Sequence, residues 1–215
     1  MKVLSVNVGR PRDVEWRGKT VRTSIFKAPV AGPVAVGRLN LAGDEQSDLS
    51  VHGGVDKAVY AYPSEHYAYW REQLPGVELG WGSFGENLTT EGLLEGELRI
   101  GDRLRIGSAE FAVTQPRLPC FKLGIRFGRA DMVKRFQHSG RTGFYLAVRR
   151  EGAIAAGDPI ERLSGESAGV TIAEVVRLYV GDDREQELLR RASELPDLPE
   201  VWRSYFRGRL WKPDS

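Results

Sequence analysis

The stretch LRIGDRLRIGSAEFAVT, residues 98–114, decides the fold class. Apolar and polar residues alternate through Leu98, Ile100, Leu104 and Ile106, and Gly101-Asp102 interrupts them as a hairpin turn would. Residues 110–114 follow as a second strand-like run. Working outward, residues 2–8, 24–28, 34–41, 58–62 and 144–148 read as further short strands bounded by Gly, Pro or Asp. Most of the 25 glycines lie among them, and many short glycine-broken strands predict a barrel or sandwich.

Helical periodicity interrupts this pattern. Ser64 is placed to cap a helix whose apolar face is Tyr67, Trp70 and Leu74. A second helix is expected near Cys120, and a third from Asp131 to about Gln137. After the small-residue linker SGESAGV, residues 164–170, the character changes. Thr171 and Glu174 fit a capping box. Three apolar faces follow: Ile172, Val175, Val176 and Tyr179; then Leu188, Leu189 and Ala192; then Val201, Trp202, Tyr205, Phe206 and Leu210. The expected organisation is therefore a mainly β, α+β domain over 1–164 and a three-helix region over 170–215, packed on the first.

The chain has 215 residues and a net charge of only +2, so whole-molecule attraction to nucleic acid or an acidic membrane is not expected. One cysteine cannot close an intrachain disulfide. The opening MKVLSVNVGR has too short an apolar run for a leader peptide, and no stretch reaches membrane-span length. A reducing cytoplasm is the expected setting; oligomeric state is left open.

Three segments carry chemistry. The first holds Asp44 and Asp48, then His52-Gly53-Gly54 and Lys57. Paired glycines let a backbone approach a ligand and form an anion-binding nest, and they also serve plain turns. Asp44, Asp48 and His52 are candidate acid–base groups. The second is Ser83-Phe84-Gly85-Glu86-Asn87. The Asn87 amide suits the edge of a heterocycle or, equally, the protein's own backbone. The third is Gln115-Pro116-Arg117-Leu118-Pro119-Cys120-Phe121-Lys122. Two prolines stiffen the approach to Cys120, and Arg117 and Lys122 flank it with positive charge that favours a thiolate. A thiolate attacks electrophiles and binds soft metals; a buried inert cysteine is the competing assignment. With three scattered histidines and no Cys-x-x-Cys, a structural zinc site is not expected. Glycine-rich dinucleotide and phosphate loops are missing too. A Cys–His hydrolase pairing Cys120 with His52 or His138 stays open, because such pairs meet only in the fold.

Taken together, GDEQSDLSVHGGVDKAVYAYPSEHYAYW (43–70), SFGENLTTEGL (83–93), QPRLPCFKL (115–123) and YFRGRLWK (205–212) resemble the MOSC family, in particular its YiiM-like branch. The resemblance covers nearly the whole chain. It implies a β-barrel with peripheral helices and a small C-terminal helical region. It also implies a molybdenum cofactor, a pterin dithiolene whose metal takes Cys120 as protein ligand. Lys57, Arg117, Lys122 and Arg126 become candidates for the pterin phosphate, and Asn87 with Gly53-Gly54 for positioning cofactor or substrate. The implied activity is reduction of N-hydroxylated compounds such as N-hydroxylated bases, with His52, Asp44 or Asp48 relaying the proton. Unlike larger fused relatives, the chain has no iron–sulfur or aminotransferase-like domain, so a separate electron-donor reductase is expected. Two other functions remain open here: a sulfur carrier holding a persulfide on Cys120, and a non-catalytic cofactor-binding module.

Overall fold

The computed structural model describes residues 1–47, 53–164, 169–181 and 184–211. From the N-terminus come β1 (Lys2–Val8), β2 (Arg12–Trp16), β3 (Lys19–Thr23), β4 (Ala28–Pro29), β5 (Val34–Val36) and β6 (Val59–Pro63). Helix α1 (His66–Gln73) precedes β7 (Leu88–Glu91), β8 (Arg103–Ile106) and β9 (Ala109–Pro116). Helices α2 (Phe121–Phe127) and α3 (Met132–Ser139) lead to β10 (Phe144–Arg150), β11 (Gly152–Ile154) and β12 (Ile160–Ser164). The chain closes with α4 (Ile172–Val180), α5 (Gln186–Glu194) and α6 (Glu200–Arg207).

Eight strands form one mixed sheet in the order β12-β8-β9-β10-β6-β7-β1-β4. Among the described residues only β6 and β7 run parallel. The sheet curls until β1 meets the segment ahead of β12. There Val3 N–H donates to Asp158 O at 3.0 Å, Gly157 N–H to Val3 O at 2.8 Å and Ile160 N–H to Met1 O at 3.0 Å. The expected closed barrel is nevertheless not formed among the described residues. The seam holds a single bridge, Lys2 to Pro159.

The hairpin of the 98–114 stretch forms one glycine later than expected. Ile106 pairs with Ala109 across a two-residue Gly107-Ser108 loop, with Gly107 at φ +54°. At Gly101-Asp102 the Asp102 carboxylate instead accepts Arg99 N–H at 3.0 Å. Residues 98–100 then run alongside the foot of α4, through Ile100 N–H to Val170 O and Ile172 N–H to Leu98 O, both 2.9 Å. The expected strand over 24–28 is irregular until Ala28, and that over 34–41 shortens to Val34–Val36. The β2–β3 hairpin gave no apolar signal because both strands are largely exposed; its Arg17-Gly18 turn has positive φ at both residues.

Helices form where the periodicity places them. Glu65, not Ser64, occupies the N-cap of α1, while Tyr67, Trp70 and Leu74 are buried as expected. The Thr171–Glu174 capping box is present in full. Ile172, Val175, Leu178, Leu189 and Phe206 join sheet residues such as Phe111 and Val113 in one core, so the helical region packs directly on the sheet. A second, aromatic core of Tyr62, Tyr67, Trp70, Phe84 and Phe136 lies around α1 and α3. Val201 and Tyr205 depart from expectation: they are 71% and 43% exposed, while Trp202 and Phe206 are buried. Among the described residues no helix is long and apolar enough to cross a membrane.

Candidate functional site

Cys120 is the extended N-cap of α2, at the end of the proline-framed segment that leaves β9. Its half-buried side chain lines two cavities. One is a cleft of about 630 Å³, open mouth included, between the loop after β3, residues 44–47, β6, β10 and the start of α2. The other, about 980 Å³ with its open mouth included, lies towards the helical region. Lys57, Leu118, Cys120 and Tyr145 belong to both.

The cleft is cationic and tightly organised. Lys27, Lys57, Arg117 and Lys122 line it together with Asp44 and Asn87. Asp44 is almost wholly buried and already committed. Oδ1 takes an ion pair from Lys27 and the Gly9 N–H at 2.8 Å, and Oδ2 takes the Asn87 amide at 2.9 Å. Asn87 also donates to Asn7 O at 3.3 Å and accepts the Tyr60 N–H at 3.1 Å. It therefore satisfies the protein's own backbone, the second of the two roles read for it from sequence. Asp44 is a scaffold group here; a carboxylate with these partners is poorly placed to relay protons.

The Glu86 beside it organises the 83–89 bend. Its carboxylate accepts Gly82 N–H at 2.8 Å, Phe84 N–H at 3.0 Å, Thr89 Oγ1–H at 3.0 Å and the Tyr67 hydroxyl. Gly85 has φ +79°, and a Cβ there would meet Ile25 Cδ1 at 2.6 Å, so the bend needs glycine.

Two polar atoms of the cleft residues are buried without a partner among the described residues: Ser24 Oγ and Arg117 Nη1. Buried groups of this kind are ordinarily met by water, an ion or a ligand. The Arg117 guanidinium lies 4.9 Å over the Tyr60 ring and 5.2 Å over Phe136. Burial works against its charge, but the Tyr60 and Tyr145 phenols and the Cys120 sulfur outweigh this, and its pKa rises above the ordinary value. Burial lowers the pKa of Lys27, with Asp44 opposing. Burial likewise lowers Lys57, with Asp56 opposing. Lys122 Nζ donates to Ser47 Oγ at 3.0 Å.

Of the sequence candidates, Cys120, Asp44, Lys57, Asn87, Arg117 and Lys122 thus converge on one cleft. Gly53, Gly54 and Arg126 line neither cavity. Gly54 sits at φ +102° ahead of the short 3-10 turn Val55–Lys57. Arg126 reaches Ser83 Oγ at 3.4 Å and lies 5.5 Å over the Phe26 ring. Asp48 and His52 lie outside the described residues. Thr23, Ser24, Lys27, Tyr60 and Tyr145 also line the cleft and carry no signal in the sequence segments singled out for chemistry. Lys27 was hidden inside a run that reads as a strand.

Residues 48–161 match the family model described as MOSC domain, and residues 170–212 the model described as YiiM-like, 3-alpha helix domain. An uncharacterized protein YflK of Bacillus subtilis is 42% identical over 204 residues, covering 95% of this chain and 92% of that one. Protein YiiM of Escherichia coli is 39% identical over 176 residues, covering 79% and 78%. A protein named Reductase from Gibberella moniliformis is 33% identical over 197 residues, covering 90% of this chain but 35% of that longer one. The crystal structure of YiiM from Geobacillus stearothermophilus superposes with a TM-score of 0.81 at 35% identity, covering 98% of this chain and 99% of that one.

Proposed function

Because the chain belongs to the MOSC family, with the YiiM-like helical region at its C-terminus, we propose that it is a molybdenum-cofactor-dependent reductase of N-hydroxylated compounds, including N-hydroxylated purine and pyrimidine bases. The observation that carries this is the position of Cys120: one sulfur on the wall between a cationic cleft and an apolar cavity. The relative named Reductase supports the same class of activity.

The cleft suits a phosphorylated cofactor. Ser24 Oγ and Arg117 Nη1 are buried donors awaiting an acceptor. Lys27, Lys57 and Lys122 supply further positive charge on the same walls. Cys120 is the soft ligand for the metal. When bound, the cofactor supplies the two-electron redox change, fed by a separate electron-donor reductase. The chain's own part is binding, orientation and proton supply. Reducing a hydroxylamine to an amine takes two electrons and two protons and releases water. Two proton-bearing groups line both cavities beside Cys120, the Tyr145 phenol and the Lys57 ammonium. Burial lowers the Lys57 pKa, the direction a general acid working near neutral pH requires.

The test is metal analysis of protein freshly prepared from a cofactor-producing host, with turnover of 6-hydroxylaminopurine measured alongside. Molybdenum near one per chain, lost together with turnover in Cys120→Ala, is the expected result. Unchanged molybdenum and turnover in that variant would overturn the assignment.

A further inference from the structure

The second cavity has a different chemistry from the cleft. Pro116, Leu118 and Pro119 line it from the β9–α2 segment, and Tyr179, Val201 and Tyr205 from α4 and α6. Among the described residues its one cationic side chain, Lys57, is shared with the cleft. The tail's aromatic rings already support one another. Tyr179 stands 5.4 Å from Trp202 and 5.5 Å from Tyr205 between centroids. Gln115 offers little for reading a ligand's edge. Its carbonyl accepts Trp202 Nε1–H at 2.7 Å, and its amide donates to Asp56 O at 3.3 Å. Val201 and Tyr205 are exposed apolar residues on an otherwise amphipathic helix, and the cavity is what they face.

We infer that this apolar cavity seats a flat, uncharged heteroaromatic ring, and that Tyr179, Val201 and Tyr205 of the helical region select the ring by stacking and shape. The inference rests on the reductase reading for the chemistry at Cys120 and assigns the substrate's ring to its own chamber. Every heteroaromatic base has a π-face, so stacking accepts purines and pyrimidines alike. Small aliphatic hydroxamates have no face to present and gain nothing from these walls.

The probe is 2-aminopurine, a fluorescent flat base, titrated into the full chain without cofactor. Stacking should quench its fluorescence saturably, and adenine should compete. Tyr205→Ala and Val201→Glu change exposed positions on α6, and their folding is checked by thermal melting. Each is expected to weaken 2-aminopurine binding about tenfold. Undiminished quenching in both folded variants would overturn the inference. So would quenching that is lost instead in a Lys27→Gln variant that melts like wild type, which would put the ring in the cationic cleft. In cofactor-loaded enzyme, Val201→Glu should raise KM for 6-hydroxylaminopurine but not for acetohydroxamic acid; an equal rise for both would count against ring selection. A loaded wild type that reduces neither compound overturns the reductase reading, while the 2-aminopurine titration still decides the chamber.

Discussion

The two cavities that meet at Cys120 are built by opposite means. On the sheet side, geometry is fixed by polar bonds: Lys27, Gly9 N–H and Asn87 all converge on Asp44, and four donors converge on Glu86. On the helical side, the walls are rings and methyl groups, and Trp202 to Gln115 ties α6 to β9. Directional bonds between buried charges tolerate little movement, whereas apolar surfaces can repack around a new shape. Under the proposed function, the cleft suits the charged cofactor, and the apolar cavity suits the part of the substrate that varies.

The sharpest way to break this contrast is Asp44→Ala. It leaves a buried lysine, a buried amide and a backbone N–H without their acceptor, and the loss of stability in urea unfolding should be about 3–5 kcal/mol. Adding Lys27→Met to Asp44→Ala should recover part of that loss, because the uncompensated charge is gone; no recovery would show that the pair is not coupled. Next comes Trp202→Phe, which keeps the ring and removes the N–H to Gln115. About 1–3 kcal/mol is expected from the orphaned carbonyl. A loss as large as that of Asp44→Ala would erase the distinction between the two sides.

The smallest effect is a pH dependence. Burial raises the Glu86 pKa above the ordinary carboxylate value, against the pull of Tyr67 and its other donors. The folded state thus holds this proton more tightly than the unfolded chain does. Stability from this group is complete below the ordinary carboxylate pKa and is lost as pH rises through the folded value. Glu86→Gln removes that dependence, so its stability relative to wild type should rise as pH climbs above the ordinary carboxylate range. A difference that stays flat as pH rises would show that the four donors fully offset burial.

What was legible in the sequence was what is local. The capping box needs only Thr171 and Glu174, and the face of α1 needs only Tyr67, Trp70 and Leu74. Arg117 and Lys122 flank Cys120 within a few residues, so its cationic setting could be read directly. The Lys27–Asp44 pair could not, because it depends on how the 23–27 loop lies against β1 and the 44–47 segment. Asn87 advertised an amide without saying that Asp44, Asn7 and Tyr60 would use it. Helical periodicity grouped Val201 and Tyr205 with Trp202 and Phe206, but spacing cannot say which part of a broad apolar face meets the core and which lines a cavity. The hairpin slipped from Gly101 to Gly107 because the Asp102 carboxylate closes a turn of its own.

The unclosed sheet has a consequence for how crowded molecules of this protein meet one another. An open edge normally invites a strand from a neighbour. Here the outer side of β1 is covered along one half by Ala28–Pro29 and along the other by the segment holding Pro159. Neither proline has an N–H with which to extend a ladder outward. At the opposite edge, β12 carries Glu161 and Arg162, charged side chains that an incoming strand would have to desolvate. The two prolines along β1 thus help keep the sheet from adding strands from its neighbours, a guard against fibrous aggregation.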